Sequence, residues 1–302
     1  MTPPITTSLA TATFLVHSPD QPGLVARLAG FFYKLGLNII EATNHSDAHV
    51  ASGARFFMRL VVDLCGLGKP QAQSELGSAT RERLEASFGE LVTSLGGGFK
   101  VSWSDVVPRV AILCTKDPAC LYDLVLRQRS GELPCDIPLI VSNHAHLESV
   151  AVSFRIPFFA LPVSAATKPE QEAKVVDLLK KHHVDLVVLA RYMQVLSEGF
   201  LQAAPPVINI HHGFLPAFQG AKPYHQAHER GVKLIGATAH YATRDLDEGP
   251  IIEQDVARVT HAMGPEELVR VGRDVERVVL ARAVRAHVEN RVIVEGRRTF
   301  VL

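Results

Sequence analysis

The sequence predicts an α/β protein of two domains: a ferredoxin-like βαββαβ sandwich at 8–104 and a doubly wound, mostly parallel sheet at 108–302. Three observations predict this. The chain has 302 residues, long for one core and comfortable for two. Its first third places apolar segments in the order strand, helix, strand, strand, helix, strand. From Arg109 onward, strands that are apolar on both faces alternate with helical segments, as parallel strands covered by helices must.

In the first domain, residues 12–17 form an apolar strand, and Asp20-Gln21-Pro22-Gly23 turns the chain into a helix at 24–34 with apolar residues every three or four positions. Gly36 ends that helix. Residues 38–43 and 55–64 read as the second and third strands, 75–95 as the second helix and 100–104 as the fourth strand. The run Gly96-Gly97-Gly98 has no helix after it and reads as a turn before the last strand, not as a phosphate loop. Residues 105–108 are the seam.

In the second domain, strands are expected at 109–114, 137–142, 158–161, 185–190, 206–210, 233–241 and 250–258. Helices are expected near 119–129, 146–153, 168–182 and 197–203, with a long one from Pro265 to Val288. The arginines on that last helix (Arg270, Arg273, Arg277, Arg282, Arg285) stand among acids and read as a solvated or interfacial face.

Composition excludes several classes. Lys+Arg and Asp+Glu are equal at 31 each, so no net field recruits nucleic acid or an anionic membrane. The first 12 residues hold no Lys or Arg and no long apolar run, and no stretch reaches the roughly 18 apolar residues of a membrane span. A cytoplasmic protein is expected. Cys65, Cys114, Cys120 and Cys135 form no C-x-x-C pair and read as small buried hydrophobes. The pairs His182-His183 and His211-His212 lack the helical spacing of a zinc site, so no metal is expected.

The chemistry is concentrated in Ile208-Asn209-Ile210-His211-His212-Gly213, followed by His240 and by Leu246-Asp247-Glu248-Gly249-Pro250. Side chains alternate along a strand, so Asn209 and His211 share one face near its end. The Asn209 amide can donate to a developing oxyanion, His211 titrates near neutrality, and Asp247 can take a proton or hold an imidazolium. Open parallel sheets put their sites beyond the carboxyl ends of their strands, where these residues fall. By the same alternation His212 is expected to point away and to be structural. His240 lies one strand over and is expected behind the site. His225 and His228, after Pro223, are expected at the surface or on a lid.

The run from Ile208 to Ala227, with Gly236-Ala-Thr-Ala-His-Tyr241, Leu246 to Asp255, Arg129 to Cys135, Ser142-Asn-His144 and Leu189 to Leu196, resembles the formyltetrahydrofolate deformylases of the folate-dependent formyltransferase superfamily. Pro19 to Ala26, Asn44-His-Ser46 and Arg55 to Arg59 resemble the ACT domain of those enzymes. The resemblance covers nearly the whole chain and departs at Gly213, where the family usually carries Ser. It implies a formyltransferase fold and hydrolysis of 10-formyltetrahydrofolate to formate and tetrahydrofolate, supplying formate for purine synthesis. It implies Asn209, His211 and Asp247 as the catalytic trio. Met193, Gln194, Val195 and Leu196 would receive the pterin ring, and residues 241–247, with Thr243 and beside His240, would form the second wall. It further implies no cofactor beyond the folate substrate and water, a homo-oligomer, and an amino-acid effector (glycine or methionine) near Gly23 and Asn38.

Transfer of the formyl group to an amine, or a catalytically silent folate and amino-acid sensor, are the alternatives. The resemblance implies that a superfamily transferase acting on a phosphorylated amine holds its phosphate with a Gly/Ser/Asn-rich loop of backbone N–H groups after the first strand of the sheet. Here that place reads Cys114-Thr115-Lys116-Asp117-Pro118, with a carboxylate that repels phosphate and a proline without an N–H. A formyltransferase acting on tRNA would add a basic nucleic-acid-binding domain, which is not expected in a chain ending at Leu302. Water is therefore the expected acceptor.

Overall fold

The structure is a computed structural model and describes residues 10–48, 53–67, 77–217 and 223–302. The chain forms two compact units, one running to Val106 and including Asn290–Ile293 and Phe300–Leu302, the other comprising Val107–Glu289 and Val294–Thr299. Residues 290–293 and 300–302 thus group with the first unit, not with the second domain expected at 108–302. The reason is apolar: Ile293 and Phe300 bury with Leu15 and Phe57, and the Phe57 and Phe300 rings stack with centroids 4.0 Å apart.

The first unit contains β1 (Thr11–Pro19), α1 (Leu24–Lys34), β2 (Asn38–Asp47), β3 (Arg55–Asp63), α2 (Ser78–Ser94) and β4 (Gly98–Trp103). Its sheet is antiparallel in the order β2-β3-β1-β4, the ferredoxin-like arrangement that the βαββαβ order predicts. Phe14 of β1, Phe32 of α1 and Phe88 of α2 are fully buried, with ring centroids 4.7 to 5.3 Å apart. Each such ring stabilises the unit by about 1.5–3 kcal/mol through burial. The expected start of α2 at Glu75 lies outside the described residues. Gly98 is not part of a turn but the first residue of β4, opposite His17. A Cβ on Gly97 would meet the His17 carbonyl oxygen at 2.3 Å, so the glycine run serves close backbone approach.

The second unit contains β5 (Val110–Cys114), α3 (Ala119–Arg129), β6 (Ile140–Ser142), α4 (Glu148–Ser153), β7 (Phe158–Ala160), α5 (Lys168–Lys181), β8 (Leu186–Ala190), α6 (Glu198–Ala203), β9 (Val207–His211), α7 (Pro223–Glu229), β10 (Leu234–Tyr241), β11 (Ile251–Arg258) and α8 (Pro265–Val288). The sheet order is β11-β10-β9-β8-β5-β6-β7. The pairs from β7 to β9 are parallel, while β10 runs antiparallel to both β9 and β11. From β5 the chain builds β6 and β7 on one side, then returns to build β8 and β9 on the other. The order therefore reverses between β5 and β8, leaving a crevice beyond Cys114 and Ala190. Every residue of β5 and β8 is buried, which is why their sequences show no alternation. The strand expected from 137 begins only at Ile140, because Pro138 cannot donate to a ladder.

The sequence reading missed a hairpin, β12 (Val292–Glu295) and β13 (Arg298–Val301), which reverses at Gly296 with φ 60°. Cys114, Cys120 and Cys135 are buried as expected, whereas Cys65 is exposed, since the turn at 65–67 turns Leu67 and not Cys65 toward the core. No helix among the described residues is long and apolar enough to cross a membrane.

Candidate active site

Strand register assembles the site. Asn209 of β9 lies opposite His240 of β10, and His211 lies opposite Thr238. Directly opposed residues share a face, so the Asn209 amide reaches His240, with Nδ2 3.2 Å from Nε2. His240 Nδ1 donates to the Tyr241 carbonyl at 3.0 Å, so in the neutral ring Nε2 is the acceptor of the Asn209 N–H. One amide N–H of Asn209 is then held by His240 and the other remains for a ligand. The pairing of β10 with β11 slips between Ala239 and His240, an irregularity that aims His240 at this point.

Asp247 joins from the loop between β10 and β11, with Oδ2 3.2 Å from His211 Nδ1 and Oδ1 3.6 Å from His240 Nε2. Its backbone is left-handed at φ 58°, a strained conformation that side chains adopt where surrounding structure imposes it. The loop imposes it tightly. Tyr241 N–H donates to the Pro250 carbonyl, the Thr243 hydroxyl donates to the Asp245 carbonyl, and a Cβ on Gly249 would fall 1.7 Å from the Tyr241 carbonyl oxygen. Gly249→Ala should therefore displace the loop and with it Asp247, lowering kcat/KM by about a hundredfold, as misplacement by an ångström does. Steady-state kinetics beside circular dichroism of the folded variant checks this.

The electrostatics favour a permanently ionised Asp247. Burial alone would raise its pKa, but the facing histidines, led by the hydrogen bond from His211, outweigh burial and hold the carboxyl far below the usual carboxylate range. His211 is 4 % exposed, and its Nε2 is buried with no hydrogen-bond partner among the described residues. A buried ring nitrogen without a partner is costly unless a ligand or water completes it.

His212 does not point away as strand alternation suggested. Its ring centroid is 5.5 Å from that of His211, and it lines the same cavity, because β9 ends at His211 and the rule of alternating faces ends with it. Burial, the Arg191 guanidinium and His211 push its pKa down to about 4. An unfolded chain takes up this proton near 6.5 while the folded one resists until about 4, so His212 lowers stability as pH falls through that window. The full effect is about 3 kcal/mol. His212→Gln should remove that component, read as a smaller shift of the urea midpoint between pH 7 and pH 4.5 than in the parent chain.

These residues line one cavity of about 560 Å³, within the range of small-ligand sites. Met193, Gln194, Val195 and Leu196 form one wall, and Ala242, Thr243, Arg244 and Leu246 another. The 193–196 segment is fixed at both ends. Met193 N–H donates to the Thr115 hydroxyl at 3.1 Å, while Ser197 caps α6 and its N–H donates to the buried Glu172. All the expected catalytic and folate-contacting positions thus meet here. His240 stands directly behind the trio, in contact with Asn209 and Asp247. His225, expected at the surface or on a lid, lines the cavity too. Gly23, left-handed at φ 85° before α1, and Asn38, at the start of β2, belong to the first unit and not to this cavity.

Sequence reasoning missed Arg191 and Tyr224, both on the cavity wall, and Glu276, fully buried in α8. A signal for Glu276 exists: Leu268, Gly272, Glu276, Val279 and Ala283 recur along one buried stripe of the helix, and a carboxylate on such a stripe needs a cation. Correspondingly, Arg273 is no simple solvated residue but pairs with Asp117 at 3.0 Å. Among the described residues no group of three or more His, Cys, Asp or Glu side chains is arranged to hold a metal ion.

The sequence model of the Formyl transferase family matches residues 108–284. The chain is 49% identical over 291 residues to a formyltetrahydrofolate deformylase of Synechocystis sp., covering 96% of this chain and 98% of that one. A crystal structure of a formyltetrahydrofolate deformylase from Pseudomonas syringae pv. tomato is similar with a TM-score of 0.89 and 41% identity, covering 99% of this chain and 96% of that one. Glycinamide ribonucleotide transformylase 1 from Symbiobacterium toebii is similar over 65% of this chain and 94% of its own, with a TM-score of 0.61 and 31% identity.

Proposed function

We infer the chemistry of this site from the family the chain belongs to, the formyltetrahydrofolate deformylases: it is an enzyme that hydrolyses 10-formyltetrahydrofolate to formate and tetrahydrofolate. The roles of individual residues are our own reading, and the observation that carries it is the closed contact of Asn209, His211, His240 and Asp247 at the base of one cavity.

The pterin ring lies against residues 193–196. The N–H groups of Met193 and Gln194 are taken by Thr115 and by the Tyr192 carbonyl, so those of Val195 and Leu196 are the donors of that wall. Thr243 and His240 flank the opposite side. The N10-formyl carbon then sits over the trio, its oxygen toward Asn209 Nδ2 and His211 Nε2. Water attacks the carbon as its proton passes to the Asp247–His211 pair. The new oxyanion is held by the Asn209 N–H and by the His211 imidazolium, which Asp247 stabilises. The C–N10 bond breaks, N10 takes a proton from the pair, and formic acid leaves and ionises. The balance is one water consumed, one C–O bond formed and one C–N bond broken.

Residues 8–104 act as a regulatory ACT domain in this reading, supported by the sheet order β2-β3-β1-β4. Gly23 and Asn38 contact an amino-acid effector, glycine or methionine, and copies of the domain associate in a homo-oligomer. The second unit, from Val107 to Glu289, carries catalysis, the substrate is the only folate required, and no cofactor assists. In this reading the enzyme is cytoplasmic and feeds formate to purine synthesis.

The test is to supply 10-formyltetrahydrofolate with and without glycinamide ribonucleotide. Formate release independent of the amine supports hydrolysis. Release that requires the amine assigns transfer, and binding without turnover assigns a sensor.

A further inference from the structure

The α8 side of the cavity is built from paired charge. Arg191, the residue after β8, is left-handed at φ 57° and directs Nη1 to both carboxylate oxygens of Glu276, at 3.1 and 2.9 Å. Glu276 also accepts the Tyr224 hydroxyl at 2.9 Å. Asp117, from the loop after β5, lies 3.0 Å from Arg273 Nε and 3.9 Å from Arg191 Nε. Tyr224 is pressed onto α8, since a Cβ on Gly272 would fall 2.1 Å from its ring. Two arginines and two carboxylates therefore neutralise one another in the crevice where the strand order reverses, next to His212 and the trio.

We propose that this buried cluster is a specificity element: it occupies the acceptor side of the cavity and pairs both cations, leaving the formyl carbon open to water and closed to phosphorylated amines. The proposal rests on the hydrolytic reading above.

The fold itself does not exclude such acceptors, because transformylases named for glycinamide ribonucleotide share this sheet. A phosphorylated amine needs an anion site, made of an available cation or a cradle of N–H groups. Here Asp117 accepts the Ala119 N–H at 3.0 Å, and Pro118 has none to give. Taking Arg191 for phosphate would strand the Glu276 carboxylate, which is 0 % exposed, and an unpaired buried charge is strongly unfavourable. Water needs no cation. The cluster thus rejects by unpaired charge, the repulsive half of specificity.

The experiment measures formate release and formyl-amine product from 10-formyltetrahydrofolate with increasing O-phosphoethanolamine, with ethanolamine as the uncharged-tail control. The full chain is compared with Glu276→Ala and with the isosteric Glu276→Gln. In the parent chain formate release should be insensitive to the probe. Both variants remove the Glu276 charge from Arg191 and should be inhibited by the phosphorylated probe, or formylate it, at concentrations about tenfold lower or more, as one charge-assisted contact provides. Ethanolamine should have no such effect. Equal sensitivity of parent and folded variants overturns the proposal. So does a Glu276→Gln chain that cannot fold, which assigns the cluster to stability alone. A parent chain releasing no formate without an amine overturns the hydrolytic reading instead.

Discussion

Asp247→Asn should lower kcat for formate release by about three orders of magnitude, the range of a lost acid–base group, while folate affinity changes by less than about threefold. The two effects separate because Asp247 touches His211 and His240, whereas the walls at 193–196 and 242–246, the proposed folate contacts, keep their backbone contacts. The amide is isosteric but cannot take a proton and carries no charge to oppose an imidazolium. In the parent chain the carboxyl is held far below the usual carboxylate range, so it is ionised at neutral pH and stays so through that range. Lowering the pH through the ordinary carboxylate range should therefore not by itself reproduce the loss seen in Asp247→Asn. Rapid-quench single turnover beside equilibrium binding of 5,10-dideaza or unformylated folate separates chemistry from binding. A kcat unchanged by the substitution contradicts the assignment.

His211→Gln should cost about a hundredfold to ten-thousandfold in kcat, the span attributed to a positioned acid–base side chain. The expectation rests on both ring nitrogens. Nδ1 is committed to Asp247, and Nε2 is buried without a hydrogen-bond partner among the described residues. In the proposed reading the substrate's formyl oxygen completes that nitrogen, and glutamine cannot cycle a proton there. KM should move little, since the ring contributes to the transition state more than to the bound ground state. A substitution that raises KM and leaves kcat intact would make His211 a binding residue only.

The particular residues show where sequence was informative. The helices at 24–34, 119–129 and 265–288 coincide with α1, α3 and α8 because glycine or proline marks an end of each. Asn209 and His211 were legible because two positions on one strand must share a face. Their union with Asp247 was not geometric information in the sequence: it depends on the register of β9 with β10 and on the left-handed Asp247, and neither has a local signature. His212 was misplaced because strand alternation was carried one residue past the end of β9. Arg191, Tyr224 and Glu276 come from three distant segments, so only the fold brings them together, although the buried stripe of α8 already marked Glu276 as a carboxylate in need of a cation. The hairpin of β12 and β13 escaped because two four-residue strands give too short a pattern to distinguish from loop.

The central claim is that water is the group that attacks the formyl carbon at the Asn209–His211–Asp247 site. Turnover of 10-formyltetrahydrofolate in H₂¹⁸O, with no amine present and the product weighed by mass spectrometry, tests it directly. The account predicts formate equal in amount to the tetrahydrofolate formed and carrying one ¹⁸O atom. Formate without the label, or no formate until an amine is added, would contradict it.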